Sequence, residues 1–360
     1  MSSNLTDRLT LTLQNTTTNK IEEDETSAVI YSGFILIPII LLAVVGNSLT
    51  ICCFLRDKGL HKTCNIYILN LAICDLLIGA ITMPIYLTYT FSNNVWLLGY
   101  HFCKAFLAFD FVTSGVTVIL MILISYDRLT LLKHWSTYHN SQSRRKAYIK
   151  CMMAWIYLII LNVPPTVGWD LWTGHTREKS DDCEAEFVDN EIFISTMAFI
   201  QFVIPLVILI IIHILIVKEI RKLILAREEL TYIPSHNGSQ HSYSTIQLDI
   251  KKDTCFTRTK KNYDQSKGNR QTTKGTKAAK SLAILTIVFF LTWAPYAIVV
   301  VVRSFCPNCT HIVLIEAFTW ILWFKSAVNP FLYAFNSNRF RENFKYFLCC
   351  RRREYKPTSC

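Results

Sequence analysis

The stretch WFKSAVNPFLY, residues 323 to 333, sets a full positive charge, Lys325, and an Asn-Pro pair inside an apolar run. Water-soluble proteins rarely bury an unpaired lysine and lipid tolerates one even less, so its meaning depends on where the segment sits. Hydrophobic residues make up 51% of the 360, yet the formal net charge is +11, which requires the charges to be segregated from the apolar runs. Runs long enough to cross a bilayer occur near 29–55, 65–91, 102–126, 148–168, 192–217, 278–303 and 311–335. Each is apolar nearly all round and too long for a soluble core helix, and lipid demands that backbone groups be satisfied within each helix. The expected fold is an all-α, seven-transmembrane helix bundle.

Basic residues fix the orientation. Arg56, Lys58 and Lys62, then Lys133, Arg144, Arg145 and Lys146, the segment after Lys218, and Arg351, Arg352 and Arg353 alternate with neutral or acidic loops such as Ser180-Asp181-Asp182. The N-terminus is expected outside the plasma membrane and the C-terminus in the cytoplasm. The chain divides into a glycosylated tail (1–26), helices 1–5 (27–218), a disordered basic third inner loop (219–277), helices 6–7 (278–335) and a cytoplasmic end (336–360). No signal peptide is read in the polar first 26 residues. Sequons at Asn4, Asn15 and Asn308 fall outside, that at Asn308 being the weakest, and Asn237 falls inside. The cysteines expected outside are Cys103, Cys183, Cys306 and Cys309, an even set. Cys306 and Cys309 can close a small loop, leaving Cys103 for Cys183; a metal site at that CxxC lacks a second ligand pair nearby.

After the last span, Phe340, Phe344, Phe347 and Leu348 share one face of a short amphipathic helix on the inner membrane surface, ending in the palmitoylation candidates Cys349 and Cys350. Three ionisable residues within spans, Asp75, Asp110 and Lys325, are functional candidates by their depth. Asp110 lies seven residues after Cys103, roughly 10 Å into the bundle. From there to Arg128 is 18 residues or five turns, so one helix joins an outer acidic site to an inner basic one.

Several motifs, about one per span, resemble the rhodopsin-like G-protein-coupled receptors: Gly46-Asn47, Leu71-Ala72-Ile73-Cys74-Asp75, Asp127-Arg128, Trp155, Phe202-Val203-Ile204-Pro205, Trp293-Ala294-Pro295-Tyr296 and Asn329-Pro330-Phe331-Leu332-Tyr333. Asp110 matches the aspartate that pairs with a protonated amine in the aminergic branch. Within that branch Ala279-Lys280-Ser281-Leu282, Ile200-Gln201-Phe202 and Trp323 look most like the histamine receptors of the third and fourth subtypes. Those receptors carry Glu at the place of Gln201, Tyr at Phe111 and Cys at Ser114.

The resemblance implies a ligand site of Asp110, Phe111, Ser114, Gln201, Trp293, Tyr296, Trp320 and Trp323, whose aromatic faces suit a cation. It implies a sodium-like site of Asp75, Thr117, Ser326 and Asn329 with Lys325 at the place of an Asn; the expectation is that Lys325 pairs with Asp75 in place of sodium, the alternatives being a neutral Lys325 or one facing lipid or another partner. Asp127, Arg128, His213 and Tyr333 are the implied coupling residues, and near Gly275 the sixth helix supplies no acidic partner for Arg128. The implied partners are a small cationic amine, a heterotrimeric G protein of the inhibitory class, arrestin, receptor kinases and membrane lipid. No cofactor, metal or nucleic acid is expected.

A muscarinic-like or other monoamine receptor is the alternative. A retinal protein is disfavoured because Lys325 stands four residues before Asn329, where the visual pigments place their lysine six before. A transporter is disfavoured by the absence of an internal repeat, and an enzyme by the lack of a nucleophile-base pair or metal cluster within a span.

Overall fold

The computed structural model describes residues 33–134, 138, 143–174, 182–231, 284, 287–306 and 309–349. Asn4, Asn15, Asn308, Cys350, Lys280, Gly275, the loop segment 232–277 and both termini lie outside the described residues. Seven long helices run as α1 Gly33–Arg56, α2 Thr63–Phe91, α3 Tyr100–Lys133, α4 Arg144–Thr173, α5 Glu191–Leu225, α6 Ile287–Phe305 and α7 Ile312–Asn336, followed by α8 Asn338–Cys349. The first six are apolar and long enough to cross a membrane. Helix α7 has the length, but Glu316, Lys325, Asn329 and Pro330 dilute its hydropathy. Helices α3 and α4 outrun the expected spans at both ends, and among the described residues no strand is present.

Burial is inverted relative to a water-soluble protein. Leu55, Ile160, Leu225, Leu291 and Phe335 face outward, while Asn47, Asp75, Thr117, Lys325, Ser326 and Asn329 are buried. Lipid solvates the apolar exterior, so polar groups gather where they can satisfy one another. Helix α3 packs against α2, α4 and α5 and thereby forms the axis of the bundle.

Prolines shape three of the helices at places that matter for the site. A proline has no N–H for the carbonyl four residues earlier, and its ring crowds that carbonyl. For Pro84 and Pro205 those carbonyls belong to Ala80 and Gln201, and each falls within a widened π-helical turn, Ile78–Thr82 and Phe199–Val203. For Pro330 the orphaned carbonyl is Ser326 O, and Asn47 of α1 donates Nδ2 to it at 2.8 Å. Gly46 permits that approach, because a Cβ there would stand 2.8 Å from the Pro330 ring.

At one end of the bundle the two expected disulfides, Cys103–Cys183 and Cys306–Cys309, are formed. Beside the first, Lys104 of α3 is buried with Nζ 3.0 Å from Asp170 of α4 and 3.4 Å from Glu186. Tyr100 donates its hydroxyl to Glu186 at 2.5 Å. This cluster, which the sequence reading does not anticipate, fixes the segment from Cys183 to Asp189 against α3 and α4.

At the other end, α8 buries Phe340 against Tyr333 and leaves Leu348 and Cys349 exposed. Arg56 lies 3.2 Å above the Tyr346 ring, and Asn343 donates to Asp57 at 3.0 Å. The expected apolar face is therefore split: its first half docks on α7 and its last residues turn outward.

Replacing Lys104 by Met would strand Asp170 and Glu186 without their shared cation, at a cost of about 3 kcal/mol. Lys104→Met should lower the thermal unfolding midpoint in detergent; an unchanged midpoint would mean that the disulfide alone holds the segment.

Candidate functional site

A cavity of about 200 Å³ opens between α3, α4, α5, α6 and α7 below the Cys103–Cys183 bridge. Its walls are predominantly apolar, with Phe202, Trp293 and Tyr296 on one side and Phe111 and Phe187 on the other. Phe202 stacks near both Trp293 and Tyr296, with ring centroids 5.7 and 6.0 Å apart. Of the charged side chains on the wall, Arg303 is paired with Glu184 at 2.6 Å. Asp110 has no such cation in contact: Ser114, one turn further along α3, donates to its Oδ1 at 3.3 Å. Thr82, Trp323 and Lys325 stand nearby and contribute weaker favourable interactions. An acid in an apolar, partly closed cavity is an incomplete ion pair, and a ligand cation would complete it.

Six of the eight expected ligand residues line this cavity: Asp110, Phe111, Ser114, Gln201, Trp293 and Tyr296. Trp320 and Trp323 do not. They pack edge-on with Tyr86 of α2, at 5.9 and 5.1 Å, and Trp323 stays within reach of Asp110 from that side. Asn162 of α4 belongs to the wall and was not anticipated. Its signal was present, since a lone amide inside an apolar span must find a partner.

Gln201 reaches the cavity because the π turn at Phe199–Val203 rotates this part of α5 relative to the helix below. Its Nε2 donates to Asn162 Oδ1 at 3.0 Å. Gly115 leaves room beneath, since a Cβ there would meet Leu158 at 2.4 Å and come within 4.0 Å of Gln201 Oε1.

Below the cavity, the five residues of the expected ionic site converge. Asp75 accepts from Ser326 Oγ and Asn329 Nδ2, each at 2.7 Å. Lys325, 1% exposed, donates Nζ to Thr117 Oγ1 at 2.8 Å and lies 5.7 Å from the centre of the Phe289 ring. The closed Asp75–Lys325 ion pair expected from the sequence is therefore not formed. Asp75 is already held by two α7 donors, and the ammonium rests on Thr117 of α3, attracting Asp75 and Asp110 without an ion-pair contact to either. The residues do not fit a bound sodium ion: Lys325 takes the Thr117 oxygen, and Ser326 and Asn329 turn donors toward Asp75.

At the far end of α3, both Asp127 oxygens accept from the Tyr138 hydroxyl at 2.8 Å. Burial, and then the Asp127 charge, push the Tyr138 hydroxyl well above its ordinary pKa, so it remains a donor. Arg128 is adjacent, with Nε buried and unpartnered, and His213 of α5 bonds Leu209 O at 2.6 Å. Tyr333 is buried against α8. The four expected coupling residues thus lie along α3, α5 and α7 toward the end of the bundle that carries α8.

The sequence pattern of the 7 transmembrane receptor (rhodopsin family) matches residues 46–333. Among characterised proteins, the chain is 28% identical to the histamine H4 receptor of Mus musculus over 355 residues, covering 85% of this chain and 89% of that receptor. It is 24% identical to the tyramine receptor Ser-2 of Caenorhabditis elegans over 377 residues, covering 86% and 82%. Against the octopamine receptor beta-2R of Chilo suppressalis the identity is 27% over 330 residues, covering 88% and 79%. With its helices, its buried polar core and its family pattern in agreement over nearly the whole chain, this multi-pass membrane protein belongs to the rhodopsin family of seven-transmembrane receptors and is a receptor rather than an enzyme.

Proposed function

We propose that the protein is a plasma-membrane receptor for a small protonated biogenic amine, histamine or a related monoamine, that signals through a heterotrimeric G protein of the inhibitory class. The observation that carries the reading is Asp110, an acid without a contacting cation at the floor of an aromatic cavity whose other charged wall residue, Arg303, is paired. The named relatives support it, since their names are those of receptors for histamine, tyramine and octopamine. In this orientation the disulfide end faces outward, and the basic end, carrying Arg128 and α8, faces the G protein, arrestin, receptor kinases and anionic inner-leaflet lipid. Cys349 is exposed at the end of α8, where a palmitoyl chain would enter the membrane.

Lys325 takes the part of a tethered cation in this proposal. A mobile ion in the polar core lets ionic conditions bias receptor conformation, whereas a cation carried on a side chain cannot leave. The buried Thr117 contact and the two carboxylates that share its charge support this reading.

In Asp110→Asn the ligand ammonium would lose its counter-ion in a partly dry site, a loss of about 3 kcal/mol or roughly a hundredfold in affinity. Competition binding with histamine, tyramine, octopamine, dopamine and acetylcholine, with cAMP inhibition as the cell readout, checks this; undiminished binding to the variant would sink the amine assignment. For the polar core, exchanging sodium for a bulky organic cation at fixed ionic strength should leave agonist affinity nearly unchanged in the parent, while Lys325→Asn should create a sodium response. A strong sodium effect in the parent that disappears in Asp75→Asn would show that a free ion enters despite the lysine.

A further inference from the structure

Two amides stand at the end of the cavity away from Asp110, and their hydrogen bonds form a one-way chain. Asn162, 3% exposed, donates Nδ2 to the backbone carbonyl of Leu158 at 3.1 Å. A carbonyl only accepts, so the Asn162 amide cannot be reversed without losing that bond. Its Oδ1 must then point the other way, toward Gln201, and it accepts from Gln201 Nε2 at 3.0 Å. The Met197 sulfur lies 3.7 Å from the same nitrogen and takes its remaining donor capacity. What Gln201 has left is Oε1, over the floor kept open by Gly115.

Both side chains line the cavity, and the wall around them is apolar: Val118, Phe202 and Ala198 offer no alternative polar partner. A ligand group reaching this end therefore meets Gln201 Oε1, an acceptor whose orientation is set through Asn162 by a helix backbone.

We infer that Asn162 is a positioning residue that makes the cavity select amines carrying an N–H or O–H donor at the end opposite the ammonium, because it holds Gln201 with its carbonyl oxygen toward the ligand. The inference rests on the amine reading above and narrows it. A phenol or the N–H of an imidazole satisfies Gln201 Oε1. An ether or ester end, which only accepts, places two acceptors face to face and leaves both unsatisfied in an apolar surround. Acetylcholine, with no donor at either end, is thereby disfavoured, and the muscarinic-like alternative with it.

The same chain predicts a cost for a carboxylate at position 201. Two oxygens would then face Asn162 Oδ1, and Asn162 would have to turn and give up Leu158 O. A substitution in α5 is thus coupled to a backbone carbonyl of α4.

The test uses the full-length receptor, purified in detergent, with dissociation constants taken from ligand-dependent thermal stabilisation. The probes are tyramine and 4-fluorophenethylamine, which share the ethylammonium and ring and differ in a para donor. Tyramine should bind about tenfold tighter to the parent, against the trend set by the more apolar fluorine. In Asn162→Leu, Gln201 is free to present either end of its amide, and the ratio should fall to about threefold or less. In Asn162→Asp the carboxylate still accepts from Gln201 Nε2, and the ratio should persist. Because the readout is a ratio within one protein, a reduced yield of folded variant cancels. A ratio near one in the parent, or a ratio unchanged in Asn162→Leu, would overturn the inference while leaving the amine reading standing. No stabilisation of the parent by either amine would overturn both.

Discussion

A proline in the last spanning helix cannot donate the hydrogen bond that would complete the turn before it, and the architecture of the polar core follows from that gap. Pro330 orphans Ser326 O; Asn47 of α1 supplies the missing donor, and Gly46 lets the two helices approach closely enough for it to do so. With Ser326 and Asn329 held in this way, their side chains face inward and both donate to Asp75 of α2. The first two helices are thereby joined to the last through one backbone defect. In lipid, where an unpaired carbonyl has no water to turn to, such repair is obligatory.

The next layer is built on the opposite principle, a charge rather than a dipole. Lys325 projects from the same turn of α7 toward α3 and meets Thr117, while the Asp110–Ser114 contact lies on the neighbouring turns of that helix. The cavity acid and the core acid thus both attract a single ammonium.

Much of this was legible in the sequence because membranes impose few solutions. Apolar length, the alternation of basic loops and the depth of three ionisable residues define the bundle and point to Asp110, and the family likeness supplies most of the cavity wall. What was not legible depends on rotation about helix axes and on contacts between distant segments. Trp320 and Trp323 occupy the expected helix, yet they pack on Tyr86 instead of lining the cavity, Trp323 reaching Asp110 from behind that wall. The Lys104, Asp170 and Glu186 cluster joins residues from two helices and a loop, none of which signals the others by spacing. The Asp75–Lys325 pair fails as a direct contact because Ser326 and Asn329 reach the acid first. Asn162 was visible as a misplaced amide, but its partner was set by a π turn in another helix.

The mouth of the cavity carries its own consequence for timing. The Arg303–Glu184 bridge spans from α6 to the segment held by the Cys103–Cys183 disulfide, and both partners keep about a third of their side-chain surface open, 29% and 34%. Ion pairs that wet are worth about 1 kcal/mol at most, so the bridge parts and reforms easily. It is a turnstile rather than a door: it neutralises Arg303 at the mouth, yet would delay passage of a ligand by no more than several-fold. Under the proposed amine reading, residence would then be governed at the floor, by Asp110, and the mouth itself would do little to slow release.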